Sequence, residues 1–98
     1  MTETGGRKAV RLVIRGRVQG VWFRAWTVEQ ARDLGLDGWV RNRADGAVEA
    51  AVAGPTDKVD RLVVLARRGP PLAKVSAVSV EPETNPIDPG FSQRPAAR

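Results

Sequence analysis

The stretch that decides the fold covers residues 16–24 and reads GRVQGVWFR. It follows an alternating segment in which Val10, Leu12 and Ile14 fall on one face, a pattern typical of a β-strand with one buried side. It precedes a segment whose apolar positions recur every three or four residues, which predicts an α-helix. The stretch is therefore the turn from a first strand into a first helix, and its two glycines allow the backbone to take positive φ angles.

This turn has the features of an anion-binding loop. The N–H groups of a tight loop and of a helix N-terminus point outward without intrachain partners, so they attract phosphate or sulfate. Arg24 falls in the first turn of the helix, and its planar guanidinium matches two phosphoryl oxygens. Glycine in such a turn also has a purely conformational use, so the loop alone leaves the ligand open. The candidate phosphate-binding residues of the loop are Arg17, Val18, Gln19, Gly20 and Val21.

A strand–hairpin–strand unit follows the first helix, which should run from residue 22 or 23 to about Leu34. Residues 36–43 and 47–53 each predict a strand. The Asp45-Gly46 pair between them is a strong hairpin signal, because both residues tolerate positive φ. The two strands are therefore expected to be antiparallel neighbours.

A second helix and a fourth strand complete the pattern. The helix should begin near Pro55 with Thr56 as its N-cap, and Gly69 should end it. Residues 74–83 predict the fourth strand. Residues 91–94 are a candidate for a short fifth strand at the edge of the sheet.

The βαββαβ order predicts an α+β fold of the ferredoxin-like, split βαβ kind. A four-stranded antiparallel sheet would carry both helices on one face. We expect a single domain over residues 8–94, with tails at 1–7 and 95–98. For Trp22 and Trp26, at the start of the first helix, stacking on a ligand is the alternative, but both are expected to pack against the core.

The composition narrows the chemistry. The chain of 98 residues has no cysteine and no histidine, which excludes thiolate chemistry, a phosphohistidine intermediate and a histidine base. Its net charge of +5 suits an anionic ligand without choosing among a metabolite, a nucleic acid and a membrane surface. Lys8, Arg41 and Arg43 are interpreted as surface charges that steer anions. The carboxylates lack metal-ligand spacing, so neither a metal nor a cofactor is expected.

The run GRVQGVWFR resembles the first signature of the acylphosphatases, small enzymes that hydrolyse carboxyl–phosphate mixed anhydrides. Residues 38–49, GWVRNRADGAVE, resemble the second signature of that family at the spacing the family shows. The resemblance extends from about residue 10 to residue 80, and the ferredoxin-like fold that it implies agrees with the pattern above. It implies that Arg24 and Asn42 are catalytic, with Arg24 on the phosphoryl group and Asn42 on the attacking water. By position alone, Asn42 would be a polar residue flanking a hairpin.

The resemblance implies metal-independent hydrolysis of an acyl phosphate to a carboxylate and inorganic phosphate. Such a substrate suits a chain without histidine or cysteine, because the leaving carboxylate has a low pKa and needs no general acid. Phosphate or sulfate should bind in the same loop. No apolar run approaches the roughly 20 residues of a membrane span, so we expect a cytoplasmic protein without a membrane partner. We also expect a monomer.

The alternative function is a non-catalytic module that binds nucleic acid or a phosphoanion on the same fold. Sheet-based RNA binders carry stacking aromatics on adjacent central strands, and Trp39 is the only aromatic residue expected there. A third interpretation is a domain detached from a larger carbamoyl-transfer or hydrogenase-maturation protein, although the zinc-finger cysteines of such proteins are absent here.

The end of the chain departs from the family pattern. Acylphosphatases usually end in a strand of the form Phe-x-Ile-Arg, whereas residues 91–94 read FSQR, with Gln93 in place of the aliphatic residue. A weak or absent fifth strand is therefore expected.

Overall fold

Residues 6–96 are those that the computed structural model describes, and over them the strands and helices follow the predicted order. The elements are β1 (Arg7–Arg17), α1 (Phe23–Asp33), β2 (Asp37–Asn42), β3 (Val48–Pro55), α2 (Thr56–Arg68), β4 (Lys74–Pro82) and β5 (Phe91–Gln93). The strands form one sheet in the order β4-β1-β3-β2-β5, with β1 and β3 near the centre. The ferredoxin-like α+β fold is thereby confirmed.

The sheet is mixed, which corrects the expectation of a purely antiparallel one. The fifth strand forms and runs parallel to β2, with Gln93 opposite Val40. The substitution at Gln93 does not prevent pairing, because the ladder uses backbone groups: the N–H of Arg94 donates to the carbonyl of Val40 at 2.8 Å. Phe91, only 3% exposed, anchors the strand in the core, and Arg32 of α1 donates to the Phe91 carbonyl at 3.1 Å.

The core lies between the sheet and the two helices. Alternation along β1 buries Val10, Leu12 and Ile14, as predicted. Residues of the same parity on β3 and one face of α2 complete the layer: Val48, Ala50, Val52, Val59, Leu62 and Ala66. Full burial of each large aliphatic side chain contributes about 1.5–3 kcal/mol to folding. This layer fixes β1 and α1, and with them the turn that joins the two.

The start of α2 differs from the prediction. Thr56 is the first helical residue and Pro55 takes the cap position, so Thr56 is not the N-cap. Its N–H and its hydroxyl both face the carbonyl of Gly6, at 3.1 and 3.3 Å. Thr56 therefore connects α2 to the start of β1.

The two predicted tails fall partly on residues that the structure does not describe. Residues 1–5 and 97–98 lie outside the described part of the chain, and Arg7 already belongs to β1. Within residues 6–96, neither helix has the length and the apolar character that a membrane crossing would need.

Candidate active site

The two glycines of the strand–helix turn have different uses. Gly16 has a φ of +124° and lies at a bulge of β1, where a Cβ would collide with the backbone carbonyl of Lys74 on β4. It allows β1 and β4 to approach closely. Gly20, with a φ of +75°, has no atom within 4 Å of an added Cβ and borders open space. Only Gly20 belongs to the loop that faces a ligand.

Trp22 gives the loop its unusual shape. It caps α1 in the left-handed region, at φ 67° and ψ 21°, and is the one non-glycine residue with positive φ among residues 6–96. A left-handed conformation costs an L-residue about 1–2 kcal/mol. The side chain is 77% exposed, so the expectation that Trp22 packs against the core is wrong. Trp26 behaves as predicted, because it packs on the core with its ring 5.4 Å from that of Phe23.

The backbone amides of this loop are left free. Within the described chain, the N–H groups of residues 19–25 donate to no protein acceptor, and the first bonded amide of α1 is that of Trp26, 3.0 Å from the Trp22 carbonyl. Free N–H groups at the positive end of a helix dipole, in a loop of alternating φ sign, form a concave site for an anion. The predicted loop geometry is therefore present.

Arg24 stands in the first turn of α1 beside these amides. Its side chain is half-buried. Among the described residues, no carboxylate lies within 4.0 Å of its guanidinium. The five N–H donors of this guanidinium are thus available to a ligand.

Asn42 reaches the same place from the sheet. It ends β2 and has the same parity as Val40, whose side chain is fully buried under the helices. Side chains two residues apart on a strand share a face, so Asn42 points toward the N-terminus of α1. Its Oδ1 is buried and is the one buried side-chain polar atom without a hydrogen-bond partner in the described chain. A buried acceptor left unsatisfied costs about 1–3 kcal/mol, which indicates that a water or a ligand group belongs there.

A pocket of about 250 Å³ brings these groups together. Its lining consists of Val18, Gly20, Trp22, Phe23, Arg24, Ala25, Asn42 and Gln93. Four predicted site residues are thus assembled: Val18, Gly20, Arg24 and Asn42. The side chains of the other three lie elsewhere, with Arg17 exposed, Val21 in the core and Gln19 on the β2–β3 hairpin. A role for their backbone amides stays a prediction.

Gln19 holds the loop against the hairpin, a role that the sequence analysis missed. Its Nε2 donates to the carbonyl of Arg43 at 2.9 Å and to that of Ala47 at 3.0 Å. Arg43 directly follows Asn42, so this side chain links the anion-binding loop to the strand end that carries Asn42. No sequence signal could have found this contact, because both acceptors are backbone carbonyls.

The three basic residues expected to steer anions are engaged in ion pairs. Arg43 approaches Asp45 at 3.0 Å, Lys8 pairs with Asp60, and Arg41 bonds Glu49 at 2.8 Å. Each charge is thus partly neutralised by a neighbour, and a role of these residues in steering anions stays a prediction. Arg24 is the only charged residue among those that line the pocket.

The open face of the sheet carries a separate cluster of charges. Glu49, buried on β3, accepts from Arg11 and Arg41 at 2.8 Å each, and Arg11 also donates to Glu83 at 2.6 Å. Burial alone would raise the pKa of Glu49, but the hydrogen bonds and charges of Arg41 and Arg11 hold this pKa below its ordinary value. The carboxylate therefore stays ionised at neutral pH.

Arg11 and Arg41, together with Arg94, cover the aromatic ring that an RNA-binding sheet would need. The guanidinium carbons of Arg11, Arg41 and Arg94 lie 5.3, 4.7 and 4.8 Å from the ring centroid of Trp39. Trp39 is only 8% exposed. Because base stacking needs an open ring face, this geometry does not favour the RNA-binding alternative. Nor do the acidic residues of the described chain form any group of three or more that could hold a metal ion.

Comparison with known proteins gives a consistent result. A protein-family model described as Acylphosphatase matches residues 10–93. The chain is 56% identical over 89 residues to an acylphosphatase of Rhizorhabdus wittichii, an alignment that covers 91% of this chain and 90% of the relative. It is 53% identical over 89 residues to one of Rhodospirillum rubrum, with 91% and 98% covered. The solved structure of an acylphosphatase from Coxiella burnetii, 34% identical, superposes with a TM-score of 0.86 over 90% of this chain and 93% of that one.

Proposed function

This chain belongs to the acylphosphatase family, and from that membership we propose how the pocket beside α1 hydrolyses an acyl phosphate. The chain is an enzyme of this class, a hydrolase of the carboxyl–phosphate bond. The residues that carry the reaction are our proposal. One observation supports it above all: in the part of the chain that the structure describes, an unpaired guanidinium, Arg24, and a buried acceptor without a partner, Asn42 Oδ1, line one pocket beside free backbone amides.

Arg24 and the loop amides bind the phosphoryl group. The guanidinium donates to two phosphoryl oxygens in a bidentate fork, and the N–H groups of the loop donate to the third oxygen and share the others. The positive end of the α1 dipole adds to this attraction. As charge redistributes in the transition state, these fixed donors stabilise it without having to reorganise.

Asn42 positions the attacking water. Its Oδ1 accepts a hydrogen bond from the water, which directs an oxygen lone pair toward phosphorus on the side opposite the acyl oxygen. This contact also satisfies the acceptor that is otherwise buried without a partner. Loss of Asn42 should therefore affect the rate more than substrate affinity.

The proposed reaction needs no side chain that acts as a general acid or base. The water oxygen forms the new bond to phosphorus while the bond from phosphorus to the acyl oxygen breaks, and the carboxylate leaves with that electron pair. The proton lost by the water goes to a phosphoryl oxygen. A carboxylate is a good leaving group and needs neither protonation nor a Lewis acid, so we propose that the reaction is independent of metals.

Further features of the proposal follow from the same pocket. Inorganic phosphate, the product, should bind to Arg24 and the loop amides and inhibit competitively, and sulfate should do the same. Each chain supplies all the proposed groups itself, so the monomer should be active. A cytoplasmic location is the remaining prediction of the sequence.

Hydrolysis of benzoyl phosphate in the presence of EDTA tests the proposal. The wild-type chain should turn over, and Arg24→Ala should lower kcat/KM by about 10³-fold, in line with the effect of arginines on phosphoryl transfer. Arg61→Ala, a matched loss of an exposed arginine on α2, should resemble the wild type. Turnover that EDTA abolishes and a divalent cation restores would contradict metal independence. Full activity of Arg24→Ala would contradict the proposed site.

A further inference from the structure

The side chain of Trp22 makes no aromatic or cation–π contact within the described chain that would offset the strain of its backbone. Its indole is 77% exposed. It takes part in neither the aromatic pair nor the cation–π contacts found in residues 6–96. Its backbone, at φ 67°, adopts a conformation that glycine takes without strain. A residue that keeps both an exposed aromatic surface and backbone strain is a candidate for a functional role.

The indole stands beside the reaction centre. Trp22 lines the pocket together with Arg24 and Asn42, and it precedes Arg24 by two residues. The pocket measures about 250 Å³, which is below the roughly 300–1,000 Å³ that usually encloses a whole small-molecule ligand. The phosphoryl group takes the part of the pocket beside Arg24, so the acyl group extends toward the mouth, where the exposed residues of the lining are.

Gln93 is a second exposed side chain that lines this pocket. It pairs with Val40 across the parallel ladder, so its side chain is directed to the same face of the sheet as that of Val40. It is exposed and lines the same pocket as Trp22. An indole and a neutral carboxamide thus both border the pocket.

The charge of the lining limits what the acyl group can carry. Arg24 is the only charged residue in it, and the phosphoryl group occupies that guanidinium. A second carboxylate or an amine on the acyl group would find no opposite charge among the lining residues. An uncharged acyl group is therefore favoured, and a planar one presents the largest contact area to an indole.

We propose that Trp22 binds the acyl group of the substrate by stacking and selects acyl phosphates with a planar, uncharged, aromatic acyl group. This inference rests on the proposed function and adds the substrate class. Trp22 acts on the part of the substrate that leaves, whereas Arg24 and Asn42 act on the part that is transferred. The selectivity should therefore change independently of phosphoryl binding.

The test compares benzoyl, cyclohexanecarbonyl and acetyl phosphate as substrates of the wild type, Trp22→Phe and Trp22→Gly. In Trp22→Gly, the ratio of kcat/KM for benzoyl to that for acetyl phosphate should fall about five- to tenfold, which is the size of an aromatic contact. Trp22→Phe should keep this ratio within about twofold, since it retains an aromatic face. Cyclohexanecarbonyl phosphate, similar in size but not planar, should lose less than benzoyl phosphate. Differences in leaving-group chemistry cancel, because each substrate is compared across variants.

A thermal melt accompanies the kinetics. Trp22→Gly should melt no lower than the wild type, because glycine removes the strain at this position. An equal loss on all three substrates, or an unchanged benzoyl-to-acetyl ratio, would overturn the inference while leaving the proposed function intact. An equal loss on benzoyl and cyclohexanecarbonyl phosphate would overturn the planar selection. A folded wild type that hydrolyses none of the three would instead overturn the proposed function, and this inference with it.

Discussion

The proposed anion-binding loop and the open face of the sheet both carry arginine, but the arginines differ in their partners. On the open face, Arg11 and Arg41 share the buried carboxylate of Glu49. In the loop, Arg24 has no carboxylate partner within the described chain and lies beside amides that have no acceptor. The guanidiniums of the open face thus donate hydrogen bonds to carboxylates of the fold. We propose that the guanidinium of Arg24 binds the ligand instead.

This difference separates stability from activity. A buried carboxylate that loses its partners leaves uncompensated charge in the folded state, so changes on the open face should lower stability. A half-buried arginine without a partner gives the fold little, so changes in the loop should lower activity. Because the open face supports the fold and the loop is proposed to bind the substrate, each variant should affect mainly stability or mainly activity.

Among the variants that follow, Arg24→Lys is expected to lower activity most. Lysine keeps the charge but loses the planar fork, so kcat/KM for benzoyl phosphate should fall by about 10²-fold or more. Inhibition by inorganic phosphate should weaken in parallel. The melting temperature should move by less than about 2 °C, because no interaction of the fold is removed. A stable variant with nearly full activity would show that a point charge suffices, and a large drop in Tm would show that Arg24 belongs to the fold.

Asn42→Ala should separate the rate from binding. The variant loses the group that we propose orients the water, so kcat should fall by about 10²-fold, while KM and the inhibition constant of phosphate change by less than about threefold. Asn85→Ala, a change of an exposed asparagine before β5, is the matched control. If KM rose by as much as kcat fell, Asn42 would be a phosphoryl-binding residue instead.

Glu49→Gln tests the stability side. It removes the charge that both Arg11 and Arg41 contact, and hydrogen bonds to charged groups contribute about 1.5–3 kcal/mol, so the free energy of unfolding should fall by about that amount. The kcat of the folded variant should stay within about twofold of the wild type, since the open face does not touch the pocket. Urea unfolding and benzoyl phosphate kinetics on the same samples measure both quantities. A large loss of kcat in fully folded protein would show that the open face also affects activity.

The same variant changes how stability depends on pH. The pKa of Glu49 in the folded chain lies below its ordinary value of 4.5 because Arg41 and Arg11 outweigh the effect of burial. Such a group stabilises the fold above its unfolded pKa, and this contribution is lost as the pH falls through the folded pKa. Wild-type stability should therefore decline below about pH 5, and the decline should be shallower in Glu49→Gln. Equal slopes would show that other carboxylates, such as Glu83, dominate the acid limb.

The sequence predicted the parts of the fold that depend on local pattern. The alternation of Val10, Leu12 and Ile14 and the Asp45-Gly46 turn determine which faces are buried and which strands pair, and the structure agrees. The direction of β5 could not be predicted, because it depends on which edge of the sheet is free once the other strands have assembled.

The sequence pointed to the two central residues of the candidate site but not to all of their contacts. The two signatures pointed to Arg24 and Asn42, and strand parity explains why Asn42 reaches the helix N-terminus. The exposure of Trp22 was missed, because a tryptophan at a helix start usually packs inward and its φ cannot be read from composition. The pairing of Arg11 with Glu49, 38 residues apart, needs the register of β1 on β3.

Gln19→Ala offers the finest test of how loop and sheet cooperate. Its side chain holds the carbonyls of Arg43 and Ala47 next to Asn42, so its loss should let the strand end drift relative to the bound phosphoryl group. We expect kcat to fall about five- to tenfold with little change in phosphate inhibition, since small misplacement of a positioning group costs rate before affinity. Gln30→Ala on α1 is the matched control.

The decisive measurement is a double-mutant cycle with Asn42→Ala. If Gln19 acts through Asn42, its removal should have little further effect once Asn42 is gone, and the two losses should be strongly non-additive. Simple additivity would show that Gln19 supports the phosphate-binding loop instead. The contact between the loop and the hairpin would then stabilise the fold without acting through Asn42.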